Sequence, residues 1–247
     1  MARTVLISGA TSGIGHATAL AFARNGANVA LIGRDPERGG RTADACKSAG
    51  AHALFIQADI TVPERLRSAL LRACEHFGGL DVAFNNAGMQ ERRAPLAEQS
   101  DITYDEVFAT NVRAVFHAMK AEIGIMLSAG RGGSIINNAS VSGVRNPNPG
   151  LALYSASKAA VLSLTRSAAL EYAPRSIRVN AVSPGRVHTP MLLNSGVADM
   201  NTMAQGLPIR RLGTPEEVAQ AVLWLASDAA SFVVGHNLCI DGGFLAA

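Results

Sequence analysis

Short apolar runs alternate along the chain with longer stretches in which apolar residues recur every three or four positions. Seven of the short runs are almost continuously apolar, which is typical of strands that are buried on both faces of a parallel sheet. The pattern predicts strands at Thr4–Ser8, Asn28–Gly33, Ala53–Gln57, Leu80–Phe84, Ser134–Asn138, Ile177–Val182 and Asn237–Ile240.

The longer stretches have helical periodicity, and three of them begin with capping signals. Asp35 stands before Pro36, Thr61 precedes Glu64 by three residues, and Thr214 opens a Thr-Pro-Glu-Glu segment. Strands alternating with helices predict an α/β fold, a single domain over 1–247 with a doubly wound parallel sheet of about seven strands and helices on both faces. The predicted helices are Gly13–Arg24, Pro36–Ala49, Val62–Phe77, Tyr104–Leu127, Leu151–Tyr172 and Pro215–Ala226.

One long segment, residues 185–213, has no clear periodicity. A loop of this length inside a compact domain is usually a lid or a binding segment. We therefore expect a substrate lid at about residues 186–213.

The composition of the chain indicates which kinds of binding partner to expect. Apolar residues make up 48% of the chain and charged residues 17%, with a net charge of only +3 and no basic stripe, so we expect no nucleic-acid partner. No apolar run is long enough for a membrane span, and no secretory signal opens the sequence. Three distant cysteines show no metal-ligand spacing, which favours a reduced, cytoplasmic protein without a metal site.

The first predicted strand runs directly into a glycine-rich turn and then into a helix. Glycine permits a tight turn and close approach of the backbone to a pyrophosphate, and the helix N-terminus offers free N–H groups. A strand, a turn and a helix in this order predict a dinucleotide-binding site. The candidate residues are Gly9, Thr11, Ser12, Gly13, Ile14 and Gly15.

A second cluster of candidates combines a helix and a strand end. Tyr154 and Lys158 are four residues apart, which places them on one helix face, and Ser140 follows a predicted strand. A fixed ammonium can lower the pKa of a phenol, and a hydroxyl can polarise a carbonyl oxygen. Taken alone, a tyrosine and a lysine four residues apart are also common on an ordinary helix surface. A serine after a strand is likewise common in an ordinary turn.

Together, the spacing of Gly9, Gly13 and Gly15 and the set Ser140, Tyr154 and Lys158 resemble the short-chain dehydrogenase/reductase family. The resemblance extends over nearly the whole chain, implies a Rossmann-type fold of the single-domain branch, and includes the Asn85–Gly88 segment. It also assigns Asp59 to adenine, Ile60 to the cofactor site and Asn111 to a proton-relay water. The other cofactor-binding residues that it implies are Asn86, Ala87, Gly88, Pro184, Gly185, Val187 and Thr189.

The resemblance implies an NAD(P)(H)-dependent carbonyl reductase or alcohol dehydrogenase. Hydride would pass between the nicotinamide and a carbonyl carbon, while Tyr154 gives or takes the proton. Lys158 would lower the pKa of Tyr154 and hold the nicotinamide ribose, and Ser140 would orient the carbonyl. The alternatives are a catalytically silent dinucleotide-binding regulator and an extended sugar-nucleotide epimerase.

The end of the second predicted strand bears on cofactor choice. Gly33 stands where NAD-preferring members of the resembled family carry an aspartate, and Arg34 follows at once. A guanidinium there can bind a 2′-phosphate, so the sequence favours NADP(H) over NAD(H). Asp35 and the absence of a basic residue at Ser12 point the other way, although helix capping accounts for Asp35.

We expect three segments to line the substrate pocket, and their charges do not indicate one class of substrate. Ketones, sugars or polyols, and 3-oxoacyl groups all remain open as substrates. The small and apolar residues of the two helices that begin at Tyr104 and Leu151, together with the resemblance, predict a homotetramer with two-fold interfaces. The pocket segments are Gln90–Arg93, Ser142–Pro149 and Arg186–Arg210.

Overall fold

The computed structural model describes residues 2–146, 148–196 and 199–247. Within these residues, seven parallel strands form one sheet. The strands are β1 (Thr4–Ser8), β2 (Asn28–Gly33), β3 (Ala53–Gln57), β4 (Val82–Asn85), β5 (Gly133–Asn138), β6 (Ile177–Pro184) and β7 (Asn237–Ile240). Their spatial order, β3-β2-β1-β4-β5-β6-β7, confirms the predicted doubly wound sheet.

Helices cover both faces of this sheet and close a separate core on each. On one face Phe22, Val218 and Val222 pack against apolar residues of β1 and β2. On the other face Leu70 and Val161 pack against the strands. The helices are α1 (Gly13–Arg24), α2 (Pro36–Ser48), α3 (Pro63–Phe77), α4 (Asp101–Phe108), α5 (Ala114–Ala129), α6 (Ala152–Tyr172), α7 (Pro190–Leu193), α8 (Met200–Gln205) and α9 (Pro215–Ala226).

The predicted helix Tyr104–Leu127 is wrong in its start and in its continuity. It begins at Asp101, because the Ser100 hydroxyl caps it by accepting from the Thr103 N–H at 3.1 Å. A π-helical turn, Ala109–Arg113, then separates α4 from α5. Such turns are frequent at functional sites, and this one contains Asn111. Most other predicted bounds are within one or two residues of those observed.

Two of the three predicted capping signals are confirmed. The Asp35 carboxylate accepts from the Arg38 N–H at 3.0 Å, and Thr214 and Glu217 form a reciprocal capping box at the start of α9. The capping box expected at Thr61 is wrong, because the Thr61 N–H and hydroxyl both donate to the Asp59 carboxylate. Val62 precedes α3 without a side-chain cap.

The segment after β6 is more ordered than its sequence pattern indicated, since it contains α7 and α8. Thr189 and Asp199 cap these short helices by accepting from backbone N–H groups. Residues 197 and 198 of the predicted lid lie outside the described residues. None of the helices in the described ranges is long and apolar enough to cross a membrane.

Candidate active site

A cleft of about 670 Å³ opens at the carboxyl edge of the sheet, where the chain order reverses between the adjacent strands β1 and β4. Ligands of doubly wound sheets bind at such switch points. The cleft is lined by every candidate residue named from the sequence except Gly15 and Asn111. The structure therefore brings together residues that span positions 9 to 189 of the chain.

The glycine turn between β1 and α1 borders this cleft. Gly9 has a φ of +65°, and a Cβ there would lie 2.7 Å from the Ala87 Cα, so the turn requires glycine. Gly15 serves packing, because a Cβ there would lie 2.3 Å from the Gly9 carbonyl oxygen. No side chain caps the first turn of α1, which leaves its N–H groups for an anion.

Asn86 fixes this turn to the neighbouring strands. Its Nδ2 donates to the carbonyl oxygens of Ser8 and Gly9, both at 3.1 Å, and its Oδ1 accepts from the Asn138 Nδ2 at 2.9 Å. The Ser8 hydroxyl accepts from the N–H groups of Asn86 and Ala87. These bonds tie the ends of β1, β4 and β5 into one rigid edge.

The outer end of the cleft lies beyond β2 and β3. A Cβ on Gly33 would lie 2.6 Å from the Thr11 Cγ2, so the floor there is closely packed. Arg34 and Arg38 are exposed and line the cleft, and the Arg38 Nε lies 3.3 Å from the Asp35 carboxylate. Sequence reasoning missed Arg38, although its spacing of three from the capping Asp35 places it over the same helix end.

Asp59 faces the same end of the cleft. Its Oδ1 accepts from the Thr61 N–H at 3.0 Å and from the Thr61 hydroxyl at 2.8 Å. These hydrogen bonds, with a contribution from the charge of Arg34, hold the pKa of Asp59 below its ordinary value. The carboxylate is therefore ionised and can accept a hydrogen bond from a ligand.

Ser140, Tyr154 and Lys158 converge on the inner part of the cleft. Ser140 follows β5, and its hydroxyl accepts from the Ser142 N–H at 3.1 Å. Tyr154 and Lys158 occupy successive turns of α6, with the Lys158 Nζ 5.7 Å from the centre of the Tyr154 ring. The Lys158 Nζ donates to the Asn138 carbonyl oxygen at 2.6 Å.

Burial dominates the ionisation of this pair. It raises the pKa of Tyr154, an effect to which the Glu91 charge adds and which the Ser140 hydroxyl opposes. It lowers the pKa of Lys158 to about 8. The Lys158 ammonium is engaged by the Asn138 carbonyl oxygen here, and a lowering of the Tyr154 pKa by Lys158 stays a prediction.

Asn111 is fully buried in the π-helical turn and does not line the cleft. Its Oδ1 accepts from the Met89 N–H at 2.8 Å. Its Nδ2 donates to the Met89 carbonyl oxygen at 2.8 Å and to the Ser157 hydroxyl at 3.0 Å. The side chain thus connects α6 to the segment after β4 and positions neighbouring groups.

Glu91 is a site residue that the sequence analysis did not identify. It is buried, and its carboxylate accepts from the N–H groups of Leu153 and Tyr154 at 3.0–3.1 Å. Leu151, which precedes α6, provides no side-chain cap. Glu91 therefore caps the helix that carries Tyr154 from 62 residues away in sequence, a distance that no local pattern reveals.

The remaining wall of the cleft comes from the segments expected to line a substrate pocket. From these segments it includes Gln90, Arg93, Asn148 and Arg186, while Pro147 lies outside the described residues. Phe244, which no predicted segment contains, also lines this wall. Two backbone hydrogen bonds, each of 2.9 Å, join the two ends of the segment 186–213. The Gly213 N–H donates to the Arg186 carbonyl oxygen, and the His188 N–H donates to the Gly213 carbonyl oxygen.

Comparison with known proteins adds three findings. A family model described as "Enoyl-(Acyl carrier protein) reductase" matches residues 9–245. The chain is 43% identical over 245 residues to cis-4-hydroxycyclohexanecarboxylate dehydrogenase of Sinomonas cyclohexanicum, covering 99% of this chain and 97% of the relative. It is 41% identical over 245 residues to the A-factor type gamma-butyrolactone 1'-reductase (1S-forming) of Streptomyces virginiae, covering 98% and 95%.

Solved structures agree with these relatives. Levodione reductase superposes with a TM-score of 0.95 at 34% identity, covering 99% of this chain and 98% of that one. Two further structures, each 33% identical, hold different cofactors. ElxO with NADP has a TM-score of 0.93 over the full length of both chains, and 3-ketoacyl-(acyl-carrier-protein) reductase from Brucella melitensis with NADH has 0.91 over 98% and 97%.

Proposed function

The chain belongs to the short-chain dehydrogenase/reductase family and is a nicotinamide-dependent oxidoreductase that interconverts carbonyls and alcohols, and we propose that Tyr154 carries the proton. The observation that supports this assignment is the convergence of Tyr154, Ser140 and Lys158 on a cleft that also contains the glycine turn. The alternative of a catalytically silent regulator is not supported, since the relatives are named as dehydrogenases and reductases.

The cleft fits a nicotinamide dinucleotide. Its volume is in the range of small-molecule sites, and the uncapped N-terminus of α1 faces it beside Gly9 and Gly13. Asp59 and Ile60 would contact the adenine, and Lys158 the nicotinamide ribose. When bound, the dinucleotide supplies or accepts the hydride. The residues proposed around its nicotinamide and diphosphate are Thr11, Ser12, Ile14, Asn86, Ala87, Gly88, Pro184, Gly185, Val187 and Thr189.

The chain's own residues then handle the carbonyl oxygen and its proton. The raised pKa of Tyr154 keeps the phenol protonated at neutral pH, which is the form that carbonyl reduction requires. The Ser140 hydroxyl donates a hydrogen bond to the same carbonyl oxygen. Lys158 carries its charge below a pH of about 8 and stabilises negative charge nearby. Asn111 acts as a positioning residue beside the proposed proton relay.

NADP(H) is the preferred cofactor in this proposal. Gly33 presents no carboxylate to repel a 2′-phosphate, and Arg34 and Arg38 lie at the same end of the cleft. Asp35, the residue that could favour NAD(H), is engaged in capping α2 and in the contact with Arg38.

For substrate, we propose a secondary alcohol on a ring and the corresponding ketone. Two of the relatives are named for ring compounds, a hydroxycyclohexanecarboxylate and a butyrolactone. Closure of the segment 186–213 over the cleft would exclude water from the reacting groups. The two short helices α7 and α8 would form the moving part of this lid.

We further propose that the chain is one domain that assembles into a cytoplasmic homotetramer. Large apolar side chains are exposed on the helices expected to pair, Ile102 at 72% and Leu170 at 80%, and Phe232 near β7 is fully exposed. The three free cysteines fit a reducing compartment. Light scattering that gives the mass of one chain at micromolar concentration would contradict the tetramer.

The direct test of the function is a substrate panel. Purified protein is mixed with NADPH or NADH and a set of ring and open-chain ketones, and oxidation of the cofactor is followed by absorbance. We expect turnover of ring ketones with NADPH and reverse turnover of the matching alcohols with NADP⁺. Cofactor binding without turnover of any carbonyl or alcohol would contradict the proposal.

A further inference from the structure

Two arginines from distant parts of the chain lie on the substrate side of the cleft. Arg93 is in the segment after β4, and Arg186 follows the end of β6. We propose that Arg93 and Arg186 bind an anionic group of the substrate, a carboxylate, so that the enzyme acts on oxo and hydroxy acids. The inference rests on the proposed function, since it names the substrate class of the same site.

Arg93 is held in place but retains an unused donor. Its Nη1 donates to the Pro149 carbonyl oxygen at 3.1 Å. The same two segments are joined again by the Ala94 N–H, which donates to the Gly150 carbonyl oxygen at 3.3 Å. The Arg93 Nε is buried and has no hydrogen-bond partner among the described residues. A buried charged donor without a partner is unfavourable, so the hydrogen bonding of the Arg93 side chain is incomplete in this structure.

The Arg186 side chain is also held in place, and its positive charge also lacks an acidic partner among the described residues. Its Nη1 donates to the Met203 carbonyl oxygen at 2.7 Å, and its guanidinium carbon lies 5.3 Å from the centre of the Phe244 ring. Partial burial and the positive charge of Arg93 both lower the pKa of Arg186. Both side chains line the same cleft, and the Arg93 charge opposes that of Arg186.

No carboxylate balances these two charges. In the described parts of the chain, neither arginine has an acidic group within 4.0 Å. The acids of the cleft, Asp35 and Asp59, belong to its outer end, and buried Glu91 accepts from the N-terminus of α6. Two fixed guanidinium groups that share a cavity without a counter-ion are suited to a planar anion, which they can bind through charge-assisted hydrogen bonds.

The position of the pair also separates its ligand from the end of the cleft proposed for the 2′-phosphate of the cofactor. Arg34 and Arg38 lie at the outer end of the cleft with Asp35 and Asp59, whereas Arg93 and Arg186 adjoin the segments around Pro149 and Met203. The anion they bind would therefore be a second one, distinct from a 2′-phosphate on the cofactor. Their substitution should alter substrate binding and leave cofactor binding unchanged.

The test compares oxo acids with their uncharged methyl esters. The three pairs are levulinate, 4-oxocyclohexanecarboxylate and 4-acetylbenzoate, each with its ester, so that members of a pair differ chiefly in charge. We expect the wild-type kcat/KM to favour the acid by about tenfold or more in at least one pair, which corresponds to one charge-assisted contact. A preference for the ester in all three pairs would overturn the inference.

Substitutions test whether Arg93 and Arg186 cause the preference for the acid over the ester. Arg93→Gln and Arg186→Gln combined should lower kcat/KM for the preferred acid by about 10- to 100-fold, mainly through KM, with turnover of the ester within about threefold. Arg92→Gln is the matched control, because Arg92 is an exposed neighbour that does not line the cleft. Equal losses for acid and ester, or a raised dissociation constant for NADPH, would overturn the inference.

Inhibition provides a readout that does not depend on turnover of the acids. Cyclohexanecarboxylate should compete with a neutral ketone in the wild type, and cyclohexanecarboxamide should compete at least tenfold less well. Turnover of neutral ketones without any preference for an anion would overturn the anionic class and leave the proposed function intact. If the protein binds cofactor but turns over neither neutral nor charged ketones, the proposed function itself fails.

Discussion

The Lys158 ammonium donates to the Asn138 carbonyl oxygen at 2.6 Å, while the Tyr154 ring centre lies 5.7 Å away. A buried ammonium held by a strand-end carbonyl is costly to the fold, and its pKa falls to about 8 as a consequence. The site therefore places a destabilised charge next to the phenol that is proposed to move the proton.

Replacing this lysine should stabilise the protein while abolishing activity. Burial lowers the pKa of Lys158 from 10.5 to about 8, so the unfolded chain binds this proton more tightly than the folded protein. Lys158→Met should raise the free energy of unfolding at pH 7 by up to about 3 kcal/mol, less the lost bond to Asn138. The gain should shrink between pH 8 and 10.5, where the wild type loses the proton on folding.

Denaturant unfolding at pH 7 and at pH 10 measures this difference. Lys47→Met, at an exposed position of α2, is the control and should change stability by less than about 0.5 kcal/mol. A Lys158→Met protein that is less stable than the wild type at pH 7 would show that the bond to Asn138 outweighs the burial of the charge.

Glu122 gives the stability of the protein a second pH dependence, at lower pH than that of Lys158 and opposite in direction. Its carboxyl group is fully buried in α5, its Oε2 accepts from the Asn85 Nδ2 at 3.0 Å, and burial raises its pKa from 4.5 to about 7. The folded protein binds this proton more tightly, so wild-type stability declines as pH rises from 4.5 to 7. Glu122→Gln should therefore be more stable than the wild type at pH 8, by up to about 3 kcal/mol, and similar to it at pH 4.5.

Chemical unfolding of both proteins at the two pH values tests this expectation, with the exposed Glu171→Gln on α6 as the control. A stability difference that does not change with pH would mean that folding leaves the pKa of Glu122 unshifted. The pH window distinguishes this effect from a general packing effect, which would act equally at both pH values.

Glu91 should control the position of the catalytic helix. Glu91→Ala removes the acceptor for the N–H groups of Leu153 and Tyr154, and it should lower the free energy of unfolding by about 1.5–3 kcal/mol. We expect kcat to fall by about tenfold, because small displacements of Tyr154 weaken proton transfer. Glu91→Gln keeps one oxygen acceptor and should restore part of both losses.

The pH profile separates positioning from mere stability. The Glu91 charge raises the pKa of Tyr154, so Glu91→Gln should shift the alkaline limb of the kcat profile to lower pH. Glu98→Gln, at an exposed position of the same connection, should leave the profile unchanged. An unshifted profile in Glu91→Gln would contradict electrostatic coupling between the two residues.

Cofactor preference depends on Arg34 in this account. Arg34→Ala should weaken NADPH binding by roughly 1.5–3 kcal/mol, the contribution of one charge-assisted contact, and change NADH binding little. Arg41→Ala is the matched control, since Arg41 pairs with Glu37 on the outer side of α2 and does not line the cleft. Fluorescence titration with both cofactors gives the result, and a wild-type preference for NADH would contradict the assignment.

Most of the fold was predictable because the sheet is parallel. Buried strands such as β1 and β2 are nearly continuous apolar runs, and four of the seven predicted strands match the observed bounds. No local pattern indicated the π-helical turn around Asn111, whose side chain bonds to Met89 and Ser157, 22 and 46 residues away. The capping box expected at Thr61 does not form because Asp59, two residues earlier, competes for its hydrogen bonds.

Site residues were predictable where the pattern that identifies them lies within a short stretch of sequence. The glycine turn and the spacing of Tyr154 and Lys158 are visible in short stretches of sequence. The capping of α6 by Glu91 is a long-range feature, and the proposed joint role of Arg93 and Arg186 likewise draws on loops that follow different strands. The charge of the substrate pocket therefore emerges only when β4 and β6 take their places in the sheet.

The central claim is that the Tyr154 phenol transfers the proton. Steady-state turnover of Tyr154→Phe with saturating NADPH and a ketone tests it most directly, alongside Tyr172→Phe, the same change elsewhere on α6. We expect a loss in kcat of about 100-fold or more for Tyr154→Phe, with an unchanged NADPH dissociation constant, and near wild-type turnover for Tyr172→Phe. Near-normal turnover by Tyr154→Phe would contradict it.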